Sequence, residues 1–235
     1  MTGALFLAEF DEARPGDVVT VEGEEARHAG VKRIEPGEEV LVANGRGLGV
    51  RGPCVDVTRD ALRVRAEEVL REAPRRRVTA VQALPKGDRG PLAVQMLTEL
   101  GATTVVAWQS ERAIVRWRGD RGAKALAKWA ATARESAKQS RRLTVPEVRF
   151  ATTGDLEALL GPIETVLVLH EDASMHLRDV DVPGDTAIVV GPEGGISPAE
   201  LDVLESLGAV PVRIADHVLR PSTAGAVALG QLELK

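Results

Sequence analysis

The sequence predicts an α/β protein in two parts, a β-rich unit over residues 1–72 and an alternating β/α unit over residues 73–235. Three observations carry this. In the first part, short β-favouring runs are separated by turn residues. Beyond residue 77, strand-like and helix-like runs alternate, which calls for a mostly parallel sheet covered on both faces. Between the two lies Arg71-Glu-Ala-Pro-Arg-Arg-Arg77, a basic linker containing a proline.

The β-rich part holds runs at residues 17–21, 38–43, 54–57 and 62–66, with Pro15-Gly16, Pro36-Gly37 and Asn44-Gly45 as turns between them, and reads as a small β-barrel. Gly45-Arg46-Gly47-Leu48-Gly49 follows a strand, as in a dinucleotide-binding fingerprint. It lacks the sixth-position glycine and leads into another β-run, so a hairpin turn is the better reading. In the second part, strands are expected at 78–84, 103–108, 165–169, 187–190 and 210–214. Helices are expected at 92–100, 123–140, 156–160, 198–207 and 223–232.

Composition narrows the function classes. A single cysteine, Cys54, excludes an internal disulfide and a multi-cysteine zinc site, and the four histidines show no metal-ligand spacing, so no metal is expected. The apolar patch near Met1 is too short for a secretory leader, and no run approaches the roughly 20 apolar residues of a membrane helix. A soluble cytoplasmic protein is expected. The net charge of -5 argues against a nucleic-acid coat protein, and 3% aromatic content without tyrosine argues against a platform that stacks many bases.

Charge is unevenly distributed, however. The helix-like run from Lys124 to Arg142 carries Lys124, Lys128, Arg134, Lys138, Arg141 and Arg142 against Glu135 alone. At about 100° per residue these bases fall within an arc of roughly 140°, opposite Leu126, Trp129, Ala130, Ala133 and Ala137. Such a face is either simply solvated or a polyanion contact. The neighbouring Arg112, Arg116, Arg118 and Arg121 and the basic linker favour contact with RNA phosphates.

Two loops dominate the last quarter of the chain. Gly191-Pro192-Glu193-Gly194-Gly195-Ile196 follows a strand-like run and precedes Ser197-Pro198-Ala199-Glu200, a Ser-x-x-Glu capping box with proline at the first helical position. The second, Asp216-His217-Val218-Leu219-Arg220-Pro221, lies between another strand and a helix starting near Ser222-Thr223-Ala224. At the carboxyl ends of parallel strands such loops form ligand crevices. The glycine loop alone admits three readings: a phosphate cradle, an adenosine-binding loop, or a tight turn. The Glu193 carboxylate counts against the first.

The ordered set Gln82-Ala-Leu-Pro-Lys-Gly-Asp88, Gln95 with Glu99-Leu-Gly101, Ser110-Glu-Arg112, Gln139-Ser140 with Arg142 and Val145-Pro-Glu147, Leu169-His-Glu171, Gly191 to Ser197, and Val218-Leu-Arg220 with Thr223-Ala224 closely resembles the bacterial 16S ribosomal RNA uracil-N3 methyltransferases, members of the SPOUT superfamily of knotted methyltransferases. The resemblance runs from about Gln82 to the C-terminus and, less sharply, through a leading barrel similar to PUA-type RNA-binding domains.

It implies an S-adenosylmethionine site made by three segments, with Leu169 and His170 in one, Gly191, Pro192, Gly194, Gly195 and Ile196 in the next, and Ile214, Val218, Leu219, Thr223 and Ala224 in the last. It further implies a deep C-terminal trefoil knot, a homodimer, and 16S RNA, within the 30S subunit, as substrate. Arg220 and Glu193 are the candidate catalytic residues, Arg220 to orient the uracil or stabilise its anion. Arg33, Lys86, Arg112, Arg134, Lys138, Arg141 and Arg142 are the candidate RNA contacts. The chain departs from the family pattern at Pro221-Ser222, where Thr-Glu is expected, at Met96, where a lysine is expected, and at Lys138, where a glutamate is expected. A noncatalytic RNA-binding protein and a methyltransferase for another nucleotide are the alternatives.

Overall fold

A computed structural model describes residues 3–234 and divides the chain into two compact units. One comprises residues up to Ala73 together with Glu135–Val145; the other comprises Pro74–Arg134 and the residues from Pro146 onward.

The first unit contains β1 (Leu5–Leu7), β2 (Val18–Glu22), α1 (Gly23–Val31), β3 (Glu39–Ala43), β4 (Leu48–Val57), β5 (Ala61–Arg65) and β6 (Glu68–Arg71). Its sheet runs β1-β3-β4-β5-β2, with β6 added to β4, and every pair is antiparallel except β1 with β3. The described pairings form an open path and do not close into the expected ring. Residues 44–47 connect β3 to β4, and the Asn44 amide donates to the Leu48 carbonyl at 2.9 Å, so the glycine-rich stretch is a hairpin loop. Alternate residues of β1 point to opposite sides. Phe6 joins Val19, Val42, Val50 and Leu62, while Leu5 and Leu7 pack with Leu41 and Leu143. Leu143 belongs to the returning segment, which is why Glu135–Val145 groups with this unit. Burial pushes the Cys54 thiol above its ordinary pKa, which disfavours the reactive thiolate.

Three of these elements had no strong local pattern. β1 is only three residues long. The first helix starts at Glu22 without a side-chain cap, inside an acid-rich stretch. Strand β6 ends at Arg71, the first residue of the expected linker.

The second unit contains β7 (Val78–Ala83), α2 (Arg89–Glu99), β8 (Thr104–Gln109), α3 (Gly119–Gln139, shared at its end with the first unit), β9 (Glu147–Thr152), α4 (Leu156–Leu160), β10 (Thr165–Leu169), β11 (Thr186–Val190), α5 (Pro198–Ser206), β12 (Val210–Val212) and α6 (Pro221–Leu232). Its six strands lie in the order β12-β10-β11-β7-β8-β9, all parallel. Period-two alternation distributes the strand residues between two cores. Ile188 and Val190 face α2, α3 and α6 with Val94, Leu97, Trp129 and Leu229, whereas Ala187 and Val189 face α4 and α5 with Leu156, Leu160 and Leu204. Each fully buried leucine or valine contributes about 1.5–3 kcal/mol. β9 was not expected as a strand: it is the sheet edge, charged and mostly exposed, with Ala151 its one fully buried residue. No helix among the described residues is long and apolar enough to cross a membrane.

Candidate active site

The order of the sheet brings three loops together. Strands β11, β10 and β12 are neighbours and parallel, so the segments that follow them leave from the same sheet edge. Between these segments lies a cavity of about 560 Å³, lined by residues 169–172, 190–196 and 218–221 with Arg112 and Ala224. An adjoining cavity of about 290 Å³ shares Leu169 to Asp172, Val218, Leu219 and Ala224, and extends along residues 212–217. These volumes suit a small-molecule ligand, for which roughly 300–1,000 Å³ is usual.

The sequence-predicted residues distribute clearly. Leu169, His170, Gly191, Pro192, Gly194, Gly195, Ile196, Val218, Leu219, Arg220, Glu193 and Ala224 line the larger cavity, and Ile214 lines the smaller. Thr223 lines neither. It is exposed in the first turn of α6, where its amide donates to the Arg220 carbonyl at 2.8 Å. Arg112, a candidate RNA contact, is exposed and stands on the cavity wall, with its guanidinium donating to the Gly194 carbonyl at 3.4 Å. Glu171, Asp172, Asp216 and His217 also line the cleft. Glu171 lies inside the quoted Leu169-His-Glu171 motif, and Asp216 and His217 open the quoted second loop, so their positions were available in the sequence; Asp172 has no distinguishing local pattern.

The glycine loop is held from several sides. Gly195 has φ of +74°, a left-handed conformation that glycine adopts at little cost, and its amide donates to the Pro192 carbonyl at 2.9 Å. At Gly191 a Cβ would come within 2.7 Å of Ile196 Cγ1. The Glu193 carboxylate accepts the Lys86 amide at 3.2 Å, tying the loop to the turn after β7. Beyond the loop, Ser197 and Glu200 form the expected capping box of α5. Buried Glu200 does more than cap. Oε2 accepts the Ser197 amide at 3.1 Å, and Oε1 accepts the Glu111 amide at 2.7 Å and the Thr153 hydroxyl at 2.8 Å.

The other two walls are ordered by their own contacts. His170 Nδ1 accepts the Asp172 amide at 3.2 Å, and the His170 amide donates to the Val212 carbonyl at 3.0 Å, which links the loops after β10 and β12. Gln231 in α6 donates to the Ile214 carbonyl at 2.8 Å. Gly225 permits close packing of α6, since a Cβ there would lie 3.0 Å from Leu97 Cδ2. Pro221, the departure from the family pattern, occupies the first position of α6 with Arg220 as its N-cap residue, so the arginine stands where the loop becomes helix.

Glu171, Asp172, Glu193 and Asp216 line the cleft beside Arg112, Arg213 and Arg220, so carboxylates and guanidinium groups face it together, as suits a ligand carrying charges of both signs. Backbone exposed at the glycines suits a flat ring approaching closely. Together these features fit an adenosyl compound that carries charged groups.

Comparison with known proteins agrees. Residues 71–233 match the model of an RNA methyltransferase domain. The ribosomal RNA small subunit methyltransferase E of Mycobacterium tuberculosis is 42% identical over 226 residues, covering 92% of this chain and 86% of that protein. The chain belongs to the ribosomal RNA small subunit methyltransferase E family. The Bacillus subtilis member is 27% identical, covering 91% of this chain and 88% of its own. The Neisseria gonorrhoeae member, solved with bound S-adenosylmethionine, superposes with a TM-score of 0.87 at 25% identity, covering 99% of this chain and 97% of that one. A Legionella pneumophila protein solved with the same cofactor gives 0.86 at 28% identity, covering 100% and 98%.

In this member of the methyltransferase E family, the candidate RNA contacts fall in both units. Arg33, Lys138, Arg141 and Arg142 belong to the first; Lys86, Arg112 and Arg134 belong to the second. Arg33, Lys86, Arg134 and Arg141 are exposed, and Arg33 and Arg141 have positive φ of 53° and 59°. Lys138 is a correction. Its side chain is only 4% exposed and its ammonium pairs with Glu25 at 3.1 Å and Glu135 at 3.0 Å, so it joins elements inside its unit and is not presented to RNA. Arg142 is similarly engaged, donating to the Thr144 hydroxyl at 3.0 Å beside Glu72. Helix α3 ends at Gln139, so the basic stripe does not continue in helical register to Arg142.

Proposed function

We propose that this chain transfers a methyl group from S-adenosylmethionine to N3 of a uridine in 16S ribosomal RNA. The observation that carries the proposal is the cleft in which the loops after β10, β11 and β12 meet, walled by glycine backbone and edged by four carboxylates and three arginines. Residues of all three loops would hold the cofactor, which supplies an electrophilic methyl group on a sulfonium. In the transfer N3 gives its proton to solvent, a bond forms between N3 and the methyl carbon, and the carbon–sulfur bond breaks to leave a neutral thioether. Arg220, at the junction of loop and helix, orients the uracil and stabilises the negative charge left on it. Glu193 keeps the glycine loop in place through the Lys86 amide, a holding role rather than that of a base.

The first unit is read as a PUA-like RNA-binding domain over residues 1–72, preceding a SPOUT methyltransferase domain over 73–235, with the substrate met within the 30S subunit, in the cytoplasm, by a homodimer that needs no metal. A deep trefoil knot in the last part of the chain is supported by β12 lying outside β10 while α6 returns to pack on α2 and β11. Incubation with labelled S-adenosylmethionine and either naked 16S RNA or 30S subunits, followed by nucleoside mass spectrometry, tests the activity. N3-methyluridine is the expected product. Its absence from both samples, with cofactor binding intact by calorimetry, would refute the assignment.

A further inference from the structure

The chain has three tryptophans, three phenylalanines and no tyrosine, and half of these aromatics gather in one place in the second unit. Trp117 and Trp129 meet edge to face with centroids 5.2 Å apart, and Phe150 stacks on Trp117 at 6.0 Å with 22° between the planes. Trp129 is buried against Gly90, where a Cβ would come within 2.7 Å of the indole nitrogen. Trp117 is half-buried, and Phe150, on the edge strand, is 38% exposed. Trp117 packs partly against the core of the second unit and leaves the rest of its ring outside it.

Beside the rings opens a cavity of about 180 Å³, lined by Trp117, Trp129, Leu84, Val115, Asp88 and Lys128 among others. It shares no lining residue with the cofactor cleft. Its volume is below the roughly 300–1,000 Å³ usual for a whole small-molecule ligand and suits one planar ring system. Lys128 and Asp88 are the charged residues of its lining, and Arg118, Arg121 and Lys124 are exposed on the loop and opening turns of α3, the same stretch of chain, with Asp120 as its acid.

The same loop reaches the cleft. Arg112 stands on the cleft wall, and Trp117 follows five positions later in the chain. The intervening turn is fixed: Arg116 donates to the Ser110 and Glu111 carbonyls, and the Trp117 amide donates to Gln109 Oε1 at 2.7 Å. One ordered loop therefore carries an arginine at the cleft and an aromatic ring beside a ring-sized cavity that Lys128 also lines.

We infer that this cavity receives one unpaired RNA base, stacked against Trp117, from the strand that enters the cleft, with Lys128 and the nearby arginines against its phosphates. The inference rests on the proposal that RNA is the substrate. Stacking on an aromatic ring beside a positive groove is how single strands are held without sequence readout, and a single ring site is compatible with the low aromatic content.

The test uses the full chain and an unpaired oligoadenylate, read by tryptophan fluorescence and by anisotropy of labelled RNA, with cofactor affinity measured separately by calorimetry. The parent is expected to bind with quenching. Trp117→Leu should weaken binding roughly five- to hundredfold, the range for loss of one stacked base. Lys128→Ala should lower the log–log salt slope by about one. If Trp117→Leu does not fold, Phe150→Ala, at an exposed edge position, takes its place and should weaken binding in the same direction. Unchanged RNA affinity in a folded variant would overturn the inference, as would equal quenching by inorganic polyphosphate, which has charge but no bases. A parent that binds oligoadenylate with quenching but fails to bind S-adenosylmethionine would count against the cleft assignment and leave the stacking site standing.

Discussion

The Glu200 carboxylate accepts the backbone amide of Glu111 at 2.7 Å, joining residues 89 positions apart. Because Glu200 also caps its own helix, one buried side chain fixes the start of α5, and with it the end of the glycine loop, relative to the turn that carries Arg112. Glu200→Ala removes the acceptor for two amides and a hydroxyl. The expected loss is about 1–3 kcal/mol in denaturant unfolding, together with weaker cofactor binding in calorimetry. A variant of unchanged stability would show that the contact is incidental.

The glycine loop is predicted to tolerate side chains badly for two different reasons. Gly195→Ala forces a β-carbon into left-handed backbone at φ +74°, about 1–2 kcal/mol of strain. Gly191→Ala presses on Ile196. Each should weaken S-adenosylmethionine binding by roughly tenfold while the unfolding midpoint moves little, because relaxation of the loop relieves the strain at the expense of the ligand site. Isothermal titration of the two variants measures it.

Arg220→Ala is expected to slow methyl transfer by about 100-fold or more, the usual loss on removing one group that stabilises developing negative charge, with cofactor affinity little changed. Single-turnover assays at saturating cofactor separate the two effects. A full rate in this variant would assign Arg220 to the helix junction alone.

Lys138→Met leaves Glu25 buried without the lysine's charge, and removing one member of a buried pair costs about 3–5 kcal/mol. The double variant Lys138→Met with Glu25→Leu should recover most of that loss. Chemical denaturation of the single and double variants is the check, and equal stability of all forms would mean that the pair contributes no specificity to the unit.

Much of the second unit was legible because its strands and helices each obey a period, and because the glycine loop, the Ser197 to Glu200 cap and the Arg220 junction are local patterns. The cleft itself followed from strand order, which no local pattern encodes. Lys138 shows the limit most plainly: on a helical wheel it belongs to a basic face, and only the approach of Glu25, 113 residues earlier, removes it from solvent. β9 was missed since an edge strand with alternating charges lacks the apolar run of its buried neighbours. In contrast, the Pro221 departure is explained once α6 is seen to begin there.

The central pairing of the second sheet joins β7 to β11, with Val78 opposite Thr186. During synthesis, Val78 can meet Thr103 after 25 residues but waits for more than a hundred before Thr186 exists on its other side, and pairings so distant in sequence form slowly. The cleft needs still more chain, since Ala224 completes its wall. A nascent chain halted before that point lacks the means to bind the methyl donor, so competence arrives late and all at once rather than unit by unit.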